Sequence, residues 1–107
     1  MPKQFDVYSN PSAKTNKLWP FYLILQNDYF DDLTTRIVVP LVSKNDITLN
    51  KKRITPMVVI NNSDFYIFTP AVTFLDAKKI NKKDFVCNVI SSRNEIISAL
   101  DAIVTNT

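Results

Sequence analysis

Few side chains in this 107-residue sequence are equipped for covalent chemistry. There is no histidine and a single cysteine, Cys87, so neither a Ser-His-Asp triad, nor a Cys-His pair, nor a Cys/His zinc site can be assembled. Glycine is absent as well, which removes the P-loop and the dinucleotide fingerprint, where glycine lets the backbone approach phosphate. Cys87 has no partner for an internal disulfide and reads as buried packing. What remains is equipment for binding. Tyr29 and Phe30 stand among Asp28, Asp31 and Asp32; they either tuck under a sheet or form an exposed apolar patch of the kind that marks a protein-binding surface. Two basic clusters, Lys51-Lys52-Arg53 and Lys78-Lys79-Ile80-Asn81-Lys82-Lys83, carry the net charge of +3. They suit an acidic partner or nucleic acid, or simply a solvated loop. The excess of lysine over arginine favours the loop, because bidentate phosphate and base contacts use arginine.

The elements that would position these residues follow from patterning. At this length one domain, 1–107, is expected. A fold so small buries only about two-thirds of the surface its unfolded chain exposes, so dimerisation would help it. No apolar run approaches the roughly 20 residues of a membrane span, and the N-terminus lacks the apolar core of a signal peptide. A cytoplasmic protein without membrane partners is the expectation. The clearest helix is the last segment, 91–107, where Ile96, Ile97, Leu100, Ile103 and Val104 recur with helical period. Ser92 and Glu95 have the spacing of a capping box.

Upstream the pattern is strands and turns. Gln4–Tyr8 alternates; Ser9–Lys17 is a polar loop; Trp19–Leu25 is apolar, with Pro20 near its start; Arg36–Val42 follows. Pro40 lacks an N–H for the ladder and predicts an edge position or a bulge. Met57–Ile60 and Phe65–Phe68 flank Asn61-Asn62-Ser63-Asp64, the best hairpin turn in the chain, because asparagine tolerates positive φ. Val72–Leu75 and Phe85–Ile90 are further strands. Four of the strands, Trp19–Leu25, Ile37–Val42, Met57–Ile60 and Phe65–Phe68, are apolar at consecutive positions, whereas a sheet with one wet face alternates. One helix cannot cover both faces, and a small barrel-like sheet buried further by a two-fold dimer satisfies the pattern.

Several segments, in order along the chain, resemble the CcdB family of plasmid and chromosomal toxins: Gln4-Phe5-Asp6-Val7-Tyr8, Gln26-Asn27-Asp28, Thr35-Arg36-Ile37-Val38-Val39-Pro40-Leu41, Pro56-Met57-Val58-Val59-Ile60, and Arg93-Asn94-Glu95-Ile96-Ile97-Ser98-Ala99-Leu100-Asp101. A short insertion is read within the loop around Asp76 to Lys83. The resemblance implies a mainly β fold with a C-terminal α-helix: an SH3-like barrel of the CcdB/MazF/Kid kind with a small extra sheet, homodimeric. It implies the toxin of a toxin–antitoxin pair that binds the A subunit of DNA gyrase, traps the enzyme on cleaved DNA and is neutralised by a labile CcdA-like antitoxin. No enzymatic activity, cofactor, metal or direct nucleic-acid recognition is expected of it.

The gyrase-contact positions carried over by the resemblance are Tyr29, Phe30, Asp101, Val104, Thr105, Asn106 and Thr107. The family commonly ends in Gly-Ile, preceded by Trp in its best-known plasmid member; this chain has Thr105-Asn106-Thr107 instead. A tryptophan there would be a typical binding hot spot, and threonine is not. The antitoxin-binding positions implied are Tyr8, Ser9, Asn10, Lys14 and Lys17, with the Lys51-Lys52-Arg53 cluster able to steer an acidic segment. Two other readings stay open. One is a non-toxic or retargeted homologue. The other is a MazF/Kid-like endoribonuclease, for which Arg36, Arg53 and Asp64 would be the candidates, with no histidine as general base.

Overall fold

The computed structural model describes residues 2–46 and 52–106, Lys52 by its backbone alone. Lys51 and Thr107, and the side chain of Lys52, lie outside the described residues. In chain order the elements are β1 (Asp6–Ser9), β2 (Phe21–Ile24), β3 (Thr35–Ser43), β4 (Met57–Ile60), β5 (Ser63–Ile67), β6 (Thr73–Asp76), β7 (Phe85–Asn88) and α1 (Arg93–Thr105).

With no glycine to spend at turns, the chain puts asparagine there. Among the described residues the positive-φ positions are Phe5 (71°), Asn61 (52°), Asn62 (65°) and Asn106 (60°). Two successive asparagines at positive φ meet the requirement of the mirror-image hairpin turn, and they join β4 to β5 where the sequence predicts it. Phe5 is the exception in chemistry. A bulky residue in this region is disfavoured, but its amide donates to Ile24 (2.7 Å), its carbonyl accepts from Val89 (2.9 Å), and its ring is buried. The kink explains why β1 starts at Asp6 rather than Gln4. Trp19 and Pro20 likewise belong to the preceding loop, tied by Trp19 N–H to Thr15 O and by Asn10 N–H to Pro20 O, both at 2.9 Å.

All seven strands form one antiparallel sheet in the order β4-β5-β3-β2-β1-β7, with β6 also beside β3. The result is an open, mostly antiparallel half-barrel with one C-terminal helix. The separate small sheet expected from the resemblance is absent among the described residues, because β6 joins the main sheet through β3. Pro40 is not at an edge or a bulge. It lies inside β3, the central strand, where one side of β3 changes partner from β6 (through Val38) to β5 (from Leu41). The missing N–H faces that gap, and the Pro40 carbonyl on the same side accepts from Phe68 N–H at 2.9 Å. A ladder bond is therefore not lost there.

Side chains alternate across the sheet into two cores. One face carries Val7, Leu23, Val39, Leu41, Val58, Ile60, Phe65 and Ile67, covered by Ile96 of α1. The other carries Tyr8, Tyr22, Ile24 and Val38, covered by Leu75 and Ile80. The helix buries Ile96, Ala99 and Ala102, leaves Ile97, Leu100 and Ile103 half-buried, and exposes Val104. The buried face is thus rotated toward the alanines. The capping box does not form. The chain enters α1 through a 3₁₀ turn, Ile90–Ser92, and the side-chain cap moves upstream, where Asn88 Oδ1 accepts from Ile90 N–H at 2.9 Å.

Candidate partner-binding surfaces

The turn after β2 is fixed by the side chains around it. Asn27 Oδ1 accepts from Tyr29 N–H (2.9 Å) and Asp28 Oδ1 accepts from Gln4 N–H (2.8 Å). Gln26 is buried and bridges: its Nε2 donates to Phe30 O (2.8 Å) and its Oε1 accepts from Ile37 N–H (3.1 Å). Arg36 is only 3% exposed. Its Nη1 donates to Leu33 O (2.5 Å) and Thr35 O (2.9 Å), and its Nη2 to Asp31 O (2.7 Å). Among the described residues it forms no ion pair; three carbonyl dipoles solvate the buried guanidinium in place of water. On this frame Tyr29 (83% exposed) and Phe30 pack edge to face, ring centroids 5.1 Å apart, with Leu33 exposed nearby in sequence. Tyr29 and Phe30 therefore do not tuck under the sheet.

The C-terminal positions are built differently. Asp101 and Val104 are exposed on α1, and Val104 is 80% exposed. Thr105 Oγ1 donates to Asp101 O at 2.6 Å. Asn106 closes the helix in the left-handed conformation, its N–H donating to Ala102 O at 2.8 Å, the role glycine usually takes. The principal neighbours of α1 are the turns at Lys52–Ile54, Thr69–Ala71 and Ile90–Ser92. The Tyr29–Phe30 turn is not among these principal neighbours.

The antitoxin candidates divide as well. Tyr8 is a core residue, stacked on Tyr22 (6.0 Å) and edge-on to Phe85 (5.7 Å); burial, with Asp6 beside it, pushes its phenol above the ordinary range. Ser9 and Asn10 are half-buried, and Lys14 and Lys17 are exposed. Asn10 fastens the loop, its Nδ2 donating to Thr15 Oγ1 and to Trp19 O, both at 2.9 Å, while its Oδ1 accepts from Ser12 N–H at 3.0 Å. Beside this loop lies a cleft of about 420 Å³ lined by Trp19, Phe21, Tyr22, Pro40, Leu75 and Lys79, among others. Sequence reasoning missed the cleft because its walls are far apart in the chain. It also missed Gln26 and Arg36 as supports of the Tyr29 turn; a polar residue closing each apolar run was the available signal.

The nuclease candidates are not drawn into one site. Arg36 is occupied by backbone carbonyls. Asp64, in β5, pairs with Lys44 at 3.9 Å, and Arg53 lies at the mouth of a separate cleft with Glu95. Cys87 is half-buried in β7, its thiol pushed up by burial and by Asp6. That favours the protonated thiol over the nucleophilic thiolate. Among the described residues no group of three or more His, Cys, Asp or Glu is placed to hold a metal, and no helix is long and apolar enough to cross a membrane.

A comparison with curated proteins returns no match. The family model described as CcdB protein covers residues 4–106, nearly the whole of the 107-residue sequence. Its span takes in the half-barrel, the pinned aromatic turn and the closing helix alike, and on that match the chain belongs to the CcdB family, whose members are toxins of toxin–antitoxin systems.

Proposed function

We propose that this toxin acts as a homodimer by binding the A subunit of DNA gyrase and holding the enzyme on cleaved DNA, and that a CcdA-like antitoxin neutralises it. The chain works as a single domain, in the cytoplasm, by occupancy; it performs no chemistry of its own. The observation that carries this reading is the Tyr29–Phe30 turn. Two aromatic side chains held out by six hydrogen bonds that involve side chains are a poor use of apolar surface unless a partner covers them. Aromatic anchors of this kind dominate protein interfaces. The remaining gyrase-facing residues are Asp101, Val104, Thr105, Asn106 and Thr107. Support for the dimer comes from apolar side chains left exposed on the strands, Ile37 and Phe74 as a cross-strand pair and Met57 and Val59 on β4.

The test is direct binding to the gyrase A-subunit dimerisation domain. The wild-type chain binds, and Tyr29→Ala/Phe30→Ala binds at least about tenfold more weakly with an unchanged unfolding midpoint. Equal affinity of the two would reject the assignment. A second reading, a non-toxic or retargeted homologue, is favoured by the polar Thr105-Asn106 tip. Uninhibited growth of cells expressing the chain without an antitoxin would select it.

A further inference from the structure

A second hollow, of about 440 Å³, opens where the N-terminal residues meet β1 and the start of β7, the last strand of the sheet. It shares no lining residue with the cleft beside the 10–19 loop. Lys3, Asp6, Tyr8, Ile80, Lys82 and Phe85 line it; Asp6 and Tyr8 are buried, and Lys3, Lys82 and Phe85 are exposed. Phe85, 47% exposed, stands edge to face with Tyr8, and Ile80 packs against the core to which Tyr8 belongs. The volume falls within the roughly 300–1,000 Å³ of ligand sites and admits one flat ring system.

The charges here sort by depth. Asp6 turns its carboxylate inward, Oδ2 accepting from Lys3 N–H and Oδ1 from Asn88 Nδ2, both at 2.9 Å. Asp76 Oδ1 accepts from Lys78 N–H at 2.9 Å, and Asp84 Oδ2 is buried. Lys3, Lys78, Lys79, Lys82 and Lys83 are exposed, and none forms an ion pair among the described residues. Their backbone is fixed: Ala77–Lys79 and Lys82–Asp84 are 3₁₀ turns, Ala77 N–H donates to Thr34 O (2.8 Å) and Asp84 N–H to Asn81 O (2.9 Å). A sequence pI near 9.1 with lysines gathered on one surface is the electrostatic footprint of nucleic-acid binding. Lysine without arginine suits contact with phosphates and not readout of base pairs. Residues 78–83 fall in the segment that reads as an insertion relative to the family, so the absence of nucleic-acid recognition expected from the resemblance does not extend to them.

We propose that this surface binds single-stranded nucleic acid, one unstacked base entering the hollow against Phe85 and Ile80 while the flanking phosphates lie against Lys3, Lys79, Lys82 and Lys83. An aromatic platform beside a positively charged track is how strands are held without sequence preference. Asp6 sets the orientation: its carboxylate repels a phosphate from the interior and leaves that space to the uncharged base. For the same reason an acidic peptide is a poorer occupant, since its carboxylates would meet Asp6. A duplex is poorer too, because its bases are already stacked and paired and it offers only its phosphates. Of the residues assigned above to gyrase or antitoxin only Tyr8 lines the hollow, so the activity is additional to those two.

The probe is a fluorescein-labelled twelve-nucleotide oligoadenylate, in deoxy and ribo forms, titrated against the full chain by anisotropy. Saturable binding of either form is expected, with a slope of log K against log salt of about −3 for four phosphates on a single strand. An oligonucleotide of the same length made of abasic sites keeps the phosphates and binds about tenfold more weakly. Phe85→Leu weakens the oligoadenylate in the same direction. Lys82→Glu/Lys83→Glu weakens it at least about tenfold and flattens the salt slope, while Lys44→Glu/Arg93→Glu, an equal change of net charge elsewhere, leaves it within about twofold. Several results would overturn the proposal. They are no saturable binding, equal affinity for the abasic strand, and a duplex or a polyglutamate bound as tightly as the single strand. Equal damage from the two charge reversals would do the same, since net charge alone would then explain the binding. The abasic comparison uses the unaltered chain, so it decides the matter even where a substitution disturbs the fold.

Discussion

The Tyr29–Phe30 turn and the C-terminal tip carry the two halves of the candidate gyrase surface, and they are held by opposite means. The turn is pinned from outside by residues of three different segments: Gln4, the Gln26–Asp28 stretch, and Arg36. At the tip, Thr105 Oγ1 donates to Asp101 O and Asn106 N–H donates to Ala102 O, two bonds within the last turn of α1. A preorganised surface forfeits little conformational entropy on binding, whereas groups fixed only on contact pay for ordering at that moment. On the proposed function the turn is therefore the better anchor, and the polar Thr105-Asn106 tip is the half that tunes.

Removing Arg36 is the strongest way to break this contrast. Arg36→Ala leaves the carbonyls of Asp31, Leu33 and Thr35 without their donor in a site that water does not reach freely. A loss of about 3 kcal/mol in urea unfolding is expected, in line with unpairing a buried charged network. Arg36→Lys recovers only part of it, since an ammonium cannot span the three carbonyls with the guanidinium's fork. If Arg36→Ala unfolds with wild-type stability, the turn holds itself and the guanidinium is incidental.

The tip responds on a smaller scale. Asn106 sits at φ 60°, where a Cβ-bearing residue without asparagine's local hydrogen bonding is disfavoured by about 1 kcal/mol. Asn106→Ala should lower stability by about that much, and Asn106→Gly should match or slightly exceed the wild type. Thermal unfolding of the pair reads this out. A fall for both substitutions would mean that the asparagine side chain, and not the backbone conformation, closes the helix.

The sequence showed most plainly whatever depends on local conformational chemistry. Asn61-Asn62 placed the hairpin because, without glycine, few residues can take two successive positive φ values, and β4 starts and ends where its apolar run does. Features that depend on distant neighbours were hidden. Pro40 marks a change of partner that no local pattern shows, because β5 and β6 arrive later in the chain. Ser92 and Glu95 have capping-box spacing, but Asn88 had already started a 3₁₀ turn, so Ser92 has ψ 13° instead of the extended value of an N-cap and makes no side-chain cap. Val104 fits the helical stripe by period, yet the half-barrel does not extend beneath it. Of the candidate site, Tyr29 and Phe30 were nominated by composition and resemblance, while Gln26 and Arg36, which hold them, looked like ordinary strand ends.

Tyr22 sharpens the lesson from the other side, as a buried polar group whose removal is expected to cost little. It is nearly as buried as Arg36, at 6% against 3% exposure, but its one polar atom has no protein partner, whereas Arg36 leaves only Nε unpaired and donates from Nη1 and Nη2; Asp84 Oδ2 is unpaired too. Burial first, then Asp84 and Tyr8, push its phenol up to about 12. A phenol raised in the folded state favours the neutral form there. Its contribution to stability is complete below the unfolded value near 10 and disappears as pH rises from about 10 through about 12. Tyr22→Phe should change stability at neutral pH by less than about 1 kcal/mol, because no protein hydrogen bond is broken and an unpaired hydroxyl is withdrawn from the core. It should also soften the alkaline decline in a pH series of urea midpoints. A loss above about 2 kcal/mol at neutral pH would mean that the hydroxyl is satisfied after all, through a water bridging to Asp84. In that case the Tyr22 hydroxyl, like the Arg36 Nη groups on the same face of the sheet, would be held by a partner, and the difference between pinned and unpinned polar groups would narrow.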